Sequence, residues 1–342
     1  MRYPFILTAA ALMSGCASVP AMSPWPTQQI TADVETQSVG TTGEDAADDP
    51  AIWRNAADPA RSLIVATDKK AGLYVYGLDG AVKSFAAKAG VNNVDIVEVG
   101  GAVLVGASDR EDPLQPHIAL YTLDKDTGTL TPVARMPVGV GEGYGFCMGP
   151  GRAAGELARA YLNTKDGLIV EAALTGTPNA PTLGSMREMR VPSQPEGCVV
   201  DPRTGMLYVG EEDAGIWRFD LSQGAPSGTL VAEADGMAMV PDVEGLTIAA
   251  EGADAGFLIA SSQGDNAYAL FRLPDMAYLT RFRVVDGNGI DGTSETDGIA
   301  FHTGSFGPAF TDGLFVVQDG DNGAGTQNFK LIDGAKLRAL VP

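Results

Sequence analysis

The sequence predicts an all-β chain folded as a β-propeller, and three observations carry that prediction. Short runs of β-branched and aromatic residues recur along it: Leu63–Ala66, Leu73–Tyr76, Ala102–Val105, Ile118–Leu123, Leu207–Val209, Ile216–Phe219, Phe257–Ala260, Ala269–Leu273 and Leu314–Val317. Gly, Asp, Asn or Pro stands beside or within a few residues of each, as at strands that end in tight turns. Helical periodicity is hard to find. Finally, the texture repeats. Gly72-Leu73-Tyr74-Val75-Tyr76, Met206-Leu207-Tyr208-Val209-Gly210 and Gly313-Leu314-Phe315-Val316-Val317 share one pattern, and Tyr121-Thr122-Leu123-Asp124 and Trp217-Arg218-Phe219-Asp220-Leu221 share another. Repetition every few tens of residues in an all-β chain indicates propeller blades. At about 40–50 residues per blade, the chain has room for six or seven. A large β-sandwich is the alternative that the same strands allow.

The N-terminus reads as an address. Met1 and Arg2 give a short positive start, an apolar run spans Phe5 to Met13, and Ser14, Gly15 and Cys16 follow. The run is too short for a spanning helix and has the anatomy of a secretory leader. Small residues before a Cys are similar to a bacterial lipobox, with Met13 where Leu is usual. Residues 1–16 are therefore expected to be a lipoprotein-type signal peptide with Cys16 lipidated; plain secretion is the alternative. Residues 17–30, rich in Pro, Ser and Ala, read as a flexible tether. No further linker interrupts residues 31–342, which read as one domain. The expected location is the periplasm or the outer membrane, with membrane contact only through the lipid.

Composition narrows the partners. Of 342 residues, 43 are Asp or Glu and 23 are Lys or Arg, for a formal net charge of −20. Such a field repels nucleic acid. It reflects either a solvated acidic surface or carboxylates gathered around hard cations, which prefer oxygen ligands. The two histidines, His117 and His302, lie in no Arg-His-Gly segment and are too few for a His-rich metal site. Four residues separate Cys147 from Arg152 and Cys198 from Arg203, one short of a cysteine-phosphatase loop. The Gly-x-Ser-x-Gly elbow of serine hydrolases is absent. Cys147 and Cys198 are read either as a pair or as buried free thiols.

What the chain has is carboxylates beside glycines and strand ends. The segments are Asp45-Ala46-Ala47-Asp48-Asp49-Pro50, Asn92-Asn93-Val94-Asp95, Gln194-Pro195-Glu196-Gly197, Glu211-Glu212-Asp213, Asp242-Val243-Glu244-Gly245 and Glu295-Thr296-Asp297-Gly298. One such segment is an ordinary solvated loop. Six spread over a propeller would converge on one face, because corresponding loops of all blades meet there. Converging carboxylates repel unless cations sit between them, and calcium accepts many oxygens in flexible geometry. Lys69, Lys70, Arg110 and Lys165, each near a turn, are the candidate anion binders, by a point charge or a guanidinium fork.

The ordered set of segments resembles the β-propeller phytases. The matching text is Asp48-Asp49-Pro50-Ala51-Ile52-Trp53, Thr67 through Leu73, Asn92 through Ile96, Tyr144-Gly145-Phe146, Gln194-Pro195-Glu196-Gly197-Cys198 and Leu207 through Trp217. It continues with Asp242 through Thr247, Ala260 through Gly264, Thr296 through Ile299, Val317 through Gly320 and Gln327 through Lys330. The resemblance runs in one order from residue 31 to about residue 330. It implies a six-bladed propeller and 3-phytase-like, calcium-dependent hydrolysis of phytate (myo-inositol hexakisphosphate), free or as its calcium salt; a monomer is expected. It also implies that Lys69, Arg110, Tyr144 and Lys165 hold phosphate, and that Glu196, Glu212, Asp242, Glu244 and Asp297 hold several calcium ions. Glu196 would serve catalysis as well. Asp48 or Asp49 would lie beside the metals, with Asn93 and Asp95 as supporting ligands. A water polarised between calcium ions would attack phosphorus in line, with no covalent intermediate. Two alternatives stand beside this: a calcium-stabilised propeller that only binds, and a calcium-dependent propeller lactonase or esterase.

Overall fold

The computed structural model describes residues 22–341. The leader and the N-terminal part of the tether lie outside the described residues. Six sheets are present, five of four strands and one of five, arranged as the blades of a propeller. Blade I comprises Ala47–Trp53, Leu63–Asp68, Gly72–Gly77 and Val82–Ala87; blade II comprises Val91–Val99, Ala102–Asp109, His117–Leu123 and Leu130–Pro137. Blade III runs through Gly143–Pro150, Glu156–Thr164, Leu168–Thr177 and Ala180–Arg190, and blade IV through Pro195–Asp201, Met206–Glu211, Gly215–Asp220 and Thr229–Glu233. Blade V contains Val243–Glu251, Ala255–Ser262, Ala267–Arg272 and Tyr278–Val284; blade VI contains Ile299–His302, Leu314–Asp319 and Asn328–Asp333. Neighbouring strands within these sets pair antiparallel, as short turns dictate.

The second strand of each blade is buried on both faces, which is why it reads as an unbroken apolar run, whereas outermost strands such as Val82–Ala87 and Ala180–Arg190 are largely exposed. Leu63 and Val65 pack with Val94, Val105 and Tyr121 of blade II, while Ile64 and Ala66 face Phe329 and Leu331 of blade VI. Period-two alternation thus splits one run between two interfaces. The core is six such layers, one between each pair of neighbouring blades. The inner strands surround a central channel lined by Asp49–Ile52, Asn93–Ile96, Phe146–Met148, Gly197–Arg203, Gly245–Ile248 and Ile299–His302.

Two features of the N-terminal segment differ from the tether expectation. Gln28–Ile30 adds a fifth strand to blade V, parallel to Tyr278–Val284 in the register Gln28↔Phe282 to Ile30↔Val284. Before it, the Ser23 N–H donates to Asp265 and the Trp25 ring lies 4.7 Å from that of Tyr278. Residues 23–30 are therefore part of the folded body. Val34–Glu35 then supplies the outermost strand of blade VI, Val34 opposite Leu331, which closes the ring. Cys147 and Cys198 form a disulfide with Cα atoms 5.6 Å apart, joining the inner strands of blades III and IV. Among the described residues, no helix is long and apolar enough to cross a membrane.

Candidate active site

The site is built from one local device used six times. Each of the first five inner strands carries a β-bulge at the same place. In blade I, Ala47 pairs with Asp68 and Pro50 with Ala66, so two residues oppose one. The same step occurs between Val91 and Val94, Gly143 and Phe146, Pro195 and Cys198, and Val243 and Leu246. Blade VI follows by register: Ile299 pairs with Val317 as Pro50 does with Ala66, and the Gln318 N–H donates to the Gly298 carbonyl. A bulge re-aims side chains. Its first residue, turned to the mouth of the channel, is Asp48, Asn92, Tyr144, Glu196, Glu244 or Asp297, one per blade. Its second is Asp49, Asn93, Gly145, Gly197, Gly245 or Gly298.

The four glycines explain why the carboxylates sit so close. A Cβ at Gly145 would lie 1.8 Å from the Glu196 carbonyl oxygen, and one at Gly197 2.1 Å from that of Glu244. Gly245 and Gly298 likewise admit the backbones of Asp297 and Asp48, whose carbonyl oxygens their N–H groups reach at 3.3 and 3.0 Å. Each bare Cα lets the site residue of the next blade approach.

A second ring lies just above. The residue after each second strand is Lys69, Arg110, Lys165, Glu212, Gln263 or Gly320 in blades I to VI. Each N–H donates to the lead-in of its inner strand, at the carbonyls of Ala46, Gly90, Glu142, Gln194, Asp242 and Ser294, over 2.7 to 3.1 Å. The mouth is thereby divided. Blades I to III supply its three cations, and blades IV to VI with Asp48 supply its carboxylates.

Glu196 joins the two parts of the acidic half. Carboxylate oxygens of Asp48, Glu196 and Asp297 lie within 4.8 Å of one another, as do those of Glu196, Glu212 and Glu244. The Asn92 amide donates to Glu196 over 2.5 Å and the Gln194 amide to Glu212 over 2.6 Å. Burial, then the charge of Asp48, pushes Glu196 up to about 7. Glu244 and Asp297 are raised well above the carboxylate range by burial, then by the charges of Glu196 and Asp48 respectively. Asp242, at the rim, is raised by burial and then by Asp213. Tyr144 spans the boundary. Its ring faces the Lys165 ammonium at 5.0 Å and the Arg110 guanidinium at 5.8 Å, and burial, then the charge of Glu196, pushes its hydroxyl pKa up. The ammonium of Lys69 lies 2.9 Å from Asp45, 3.0 Å from Asp48 and 3.4 Å from Asp297. Burial alone would lower its pKa, but the charges of Asp48, Asp297 and Asp45 outweigh that and hold it protonated.

Such an acidic set invites a hard cation, and its donors fit one. Asp48 is fully buried, its Oδ2 meeting only the Lys69 ammonium and its Oδ1 having no partner; Glu244 Oε2 is also buried and bare. Buried carboxylate oxygens left unpaired are costly, and all the donors are oxygens, as calcium or magnesium requires.

Most residues singled out in the sequence are brought together here: Asp48, Lys69, Arg110, Tyr144, Lys165, Glu196, Glu212, Asp242, Glu244 and Asp297. Asp49, Asn93 and Asp95 are not. They line the channel below the mouth. Asp49 accepts the Val94 N–H over 2.9 Å, and Asp95 accepts those of Ile96 and Met148, each over 2.7 Å, tying neighbouring inner strands together. Burial raises Asp95 to about 6. The sequence reading chose Asn93 where the mouth residue is Asn92, and it passed over Gln263. The signal was present: Tyr144-Gly145, Glu196-Gly197, Glu244-Gly245 and Asp297-Gly298 align with Asn92-Asn93, the first of each pair facing the mouth.

Fold and site together define a six-bladed propeller with a divided mouth, cations on one side and a metal-competent carboxylate set on the other. Comparison with known proteins makes the assignment specific. The family model described as Phytase matches residues 4–339. The 3-phytase of Bacillus subtilis (strain 168) is 36% identical over 324 residues, covering 90% of this chain and 84% of that protein. The chain belongs to the phytase family and is a phosphoric monoester hydrolase.

Proposed function

We propose that the mouth removes phosphate from phytate with the help of calcium held by Asp48, Glu196, Glu212, Asp242, Glu244 and Asp297. The observation that carries this reading is the divided ring. Lys69, Arg110 and Lys165 offer a polyanion three cations, yet they face a carboxylate set that would repel it. When bound, calcium neutralises phosphate oxygens and activates water as a Lewis acid. The protein's own residues do the rest. Arg110 grips phosphate oxygens with its fork, and Lys69 and Lys165 add mobile charges that stabilise the transition state. Tyr144 holds Arg110 and Lys165 at its ring face. Glu196, poised near neutrality, takes the proton that the attacking water releases. A purely structural metal site leaves the three cations without a use.

The test is phosphate release from phytate by the purified full-length protein, first with calcium and then with excess chelator. Release that stops with chelator and returns with calcium supports the reading. Equal release under both conditions sinks the calcium dependence, and none from folded protein sinks the substrate.

We also propose that residues 1–16 act as a lipoprotein leader, so that the enzyme sits outside the inner membrane held by lipid on Cys16, and that it works as a monomer. Metabolic labelling with a radioactive fatty acid would mark the wild type and not Cys16→Ser; equal labelling of both removes the anchor.

A further inference from the structure

Three blades place a cation at the same position, and only one of the three is inside the carboxylate set. Lys165 pairs with half-exposed Glu142 over 2.9 Å, and Arg110 lies over the Tyr144 ring. Lys69, by contrast, is 8% exposed and directs its ammonium between Asp48 and Asp297, with Asp45 closing the outer side. That is where one of the two triads would hold a metal, since Asp48, Glu196 and Asp297 all bring oxygens within 4.8 Å of one another. Asp48 has no other means of satisfaction: it is fully buried, its Oδ2 meets only the Lys69 ammonium, and its Oδ1 has no partner.

We propose that Lys69 is the resident counter-ion of the metal-free site, and that a divalent cation entering the Asp48–Glu196–Asp297 set displaces its ammonium toward the mouth. This rests on the calcium reading above. An ammonium carries one charge and three donors; calcium carries two charges and takes six to eight oxygens, so it makes fuller use of the same set. The two cannot share it, because like charges a few ångströms apart in a buried site repel strongly. Lysine suits the exchange. Its four-carbon stem lets the ammonium swing without loss of charge, whereas a guanidinium would be held by its fork. The consequence is an order of events. Before the metal arrives, Lys69 is neutralised by carboxylates and has no charge to spare for phosphate. Afterwards it is free to bind the anion that the metal also holds. One lysine thereby keeps the empty site folded and couples the arrival of metal to the binding of phosphate.

Calcium titration by calorimetry, with calcium chloride alone as ligand, tests this in the wild type, in Lys69→Met and in Lys165→Met. With the competitor gone, Lys69→Met should bind at the displaced site at least tenfold more tightly. Its metal-free form should melt at a lower temperature and recover when calcium is added. Lys165→Met removes the same charge from the mouth but no competitor, and should change affinity far less. Lys69→Met binding as the wild type does, or more weakly, overturns the proposal, as does an equal gain in both variants. A second measurement needs no variant: acetic anhydride labelling of the wild type, read by mass spectrometry. Lys69 should be protected in chelator and become reactive in calcium; unchanged protection overturns the proposal even if Lys69→Met does not fold. Absence of calcium uptake by the wild type would instead remove the calcium reading, and this proposal with it.

Discussion

The backbone of Glu196 lies against the bare Cα of Gly145, so closely that an added Cβ would stand 1.8 Å from the Glu196 carbonyl oxygen. The obstacle is backbone and cannot swing aside. Gly145→Ala must therefore push blade IV from blade III, at a cost of about 3 kcal/mol, the upper end for overpacking. Because the displaced residue is the one shared by both carboxylate triads, calcium affinity should fall as well. Urea denaturation and calcium calorimetry on this variant check both expectations.

Glu196→Gln keeps the shape and hydrogen-bonding capacity of the side chain but removes its charge and its basicity. Turnover of phytate should fall by roughly 10²–10³-fold, the usual loss for one electrostatic partner of the transition state, with the fold intact by circular dichroism. Asp95→Asn supplies the contrast. Asp95 was expected among the metal ligands, yet it holds the N–H groups of Ile96 and Met148 in the channel. Its amide variant should turn over almost normally, and a loss as deep as that of Glu196→Gln would return Asp95 to the site.

The metal-free protein should have an inverted pH profile. Glu196 at about 7 and Asp95 at about 6 both bind protons more tightly folded than unfolded. Between the ordinary carboxylate range and pH 7 the folded state therefore holds more protons, so stability falls as pH rises through that window. Melting temperature in chelator should be higher at pH 5 than at pH 7.5. On the proposed calcium binding, added calcium should reverse the order, since a metal takes the deprotonated carboxylates. A chelated protein that gains stability from pH 5 to pH 7.5 would contradict these shifts.

The Cys147–Cys198 bond joins two blades across a sequence separation of 51 and sits just below Tyr144 and Glu196. Closing a loop of that length contributes about 4 kcal/mol in the chain-entropy account. Cys147→Ser with Cys198→Ser should lower unfolding free energy by an amount of that order. Thiol titration of the unfolded wild type before and after reduction should show the two cysteines appearing together.

Particular residues show how far the sequence could be read. Leu63-Ile64-Val65-Ala66 announces a strand buried on both faces, because the two interfaces are filled by alternate residues of one run. The carboxylates of the mouth were legible too, since Asp48, Glu196, Glu212, Glu244 and Asp297 each precede a glycine or an Asp in a repeated context. Asn92 was missed because a bulge breaks the rule that adjacent residues face opposite ways in a fixed order. The choice between Asn92 and Asn93 depends on register with Ala107 and Asp109, which only pairing reveals. Gln28–Ile30 and Val34–Glu35 carry too little pattern to be recognised as strands; what makes them strands is the edges offered by Phe282 and Leu331, some 250 to 300 residues away. Likewise, no spacing shows that Cys147 and Cys198 occupy neighbouring places on adjoining inner strands.

That last blade has a consequence for biosynthesis. Blade VI takes its outer strand from Val34–Glu35, so the earliest strands to emerge from the ribosome must wait for nearly the last ones before the circle can shut. The closing pair lies within blade VI, and the interface it completes, between blades VI and I, is where Asp297 and Asp48 meet. The triad of Asp48, Glu196 and Asp297 is thus whole only when strands from the two ends of the described chain lie side by side.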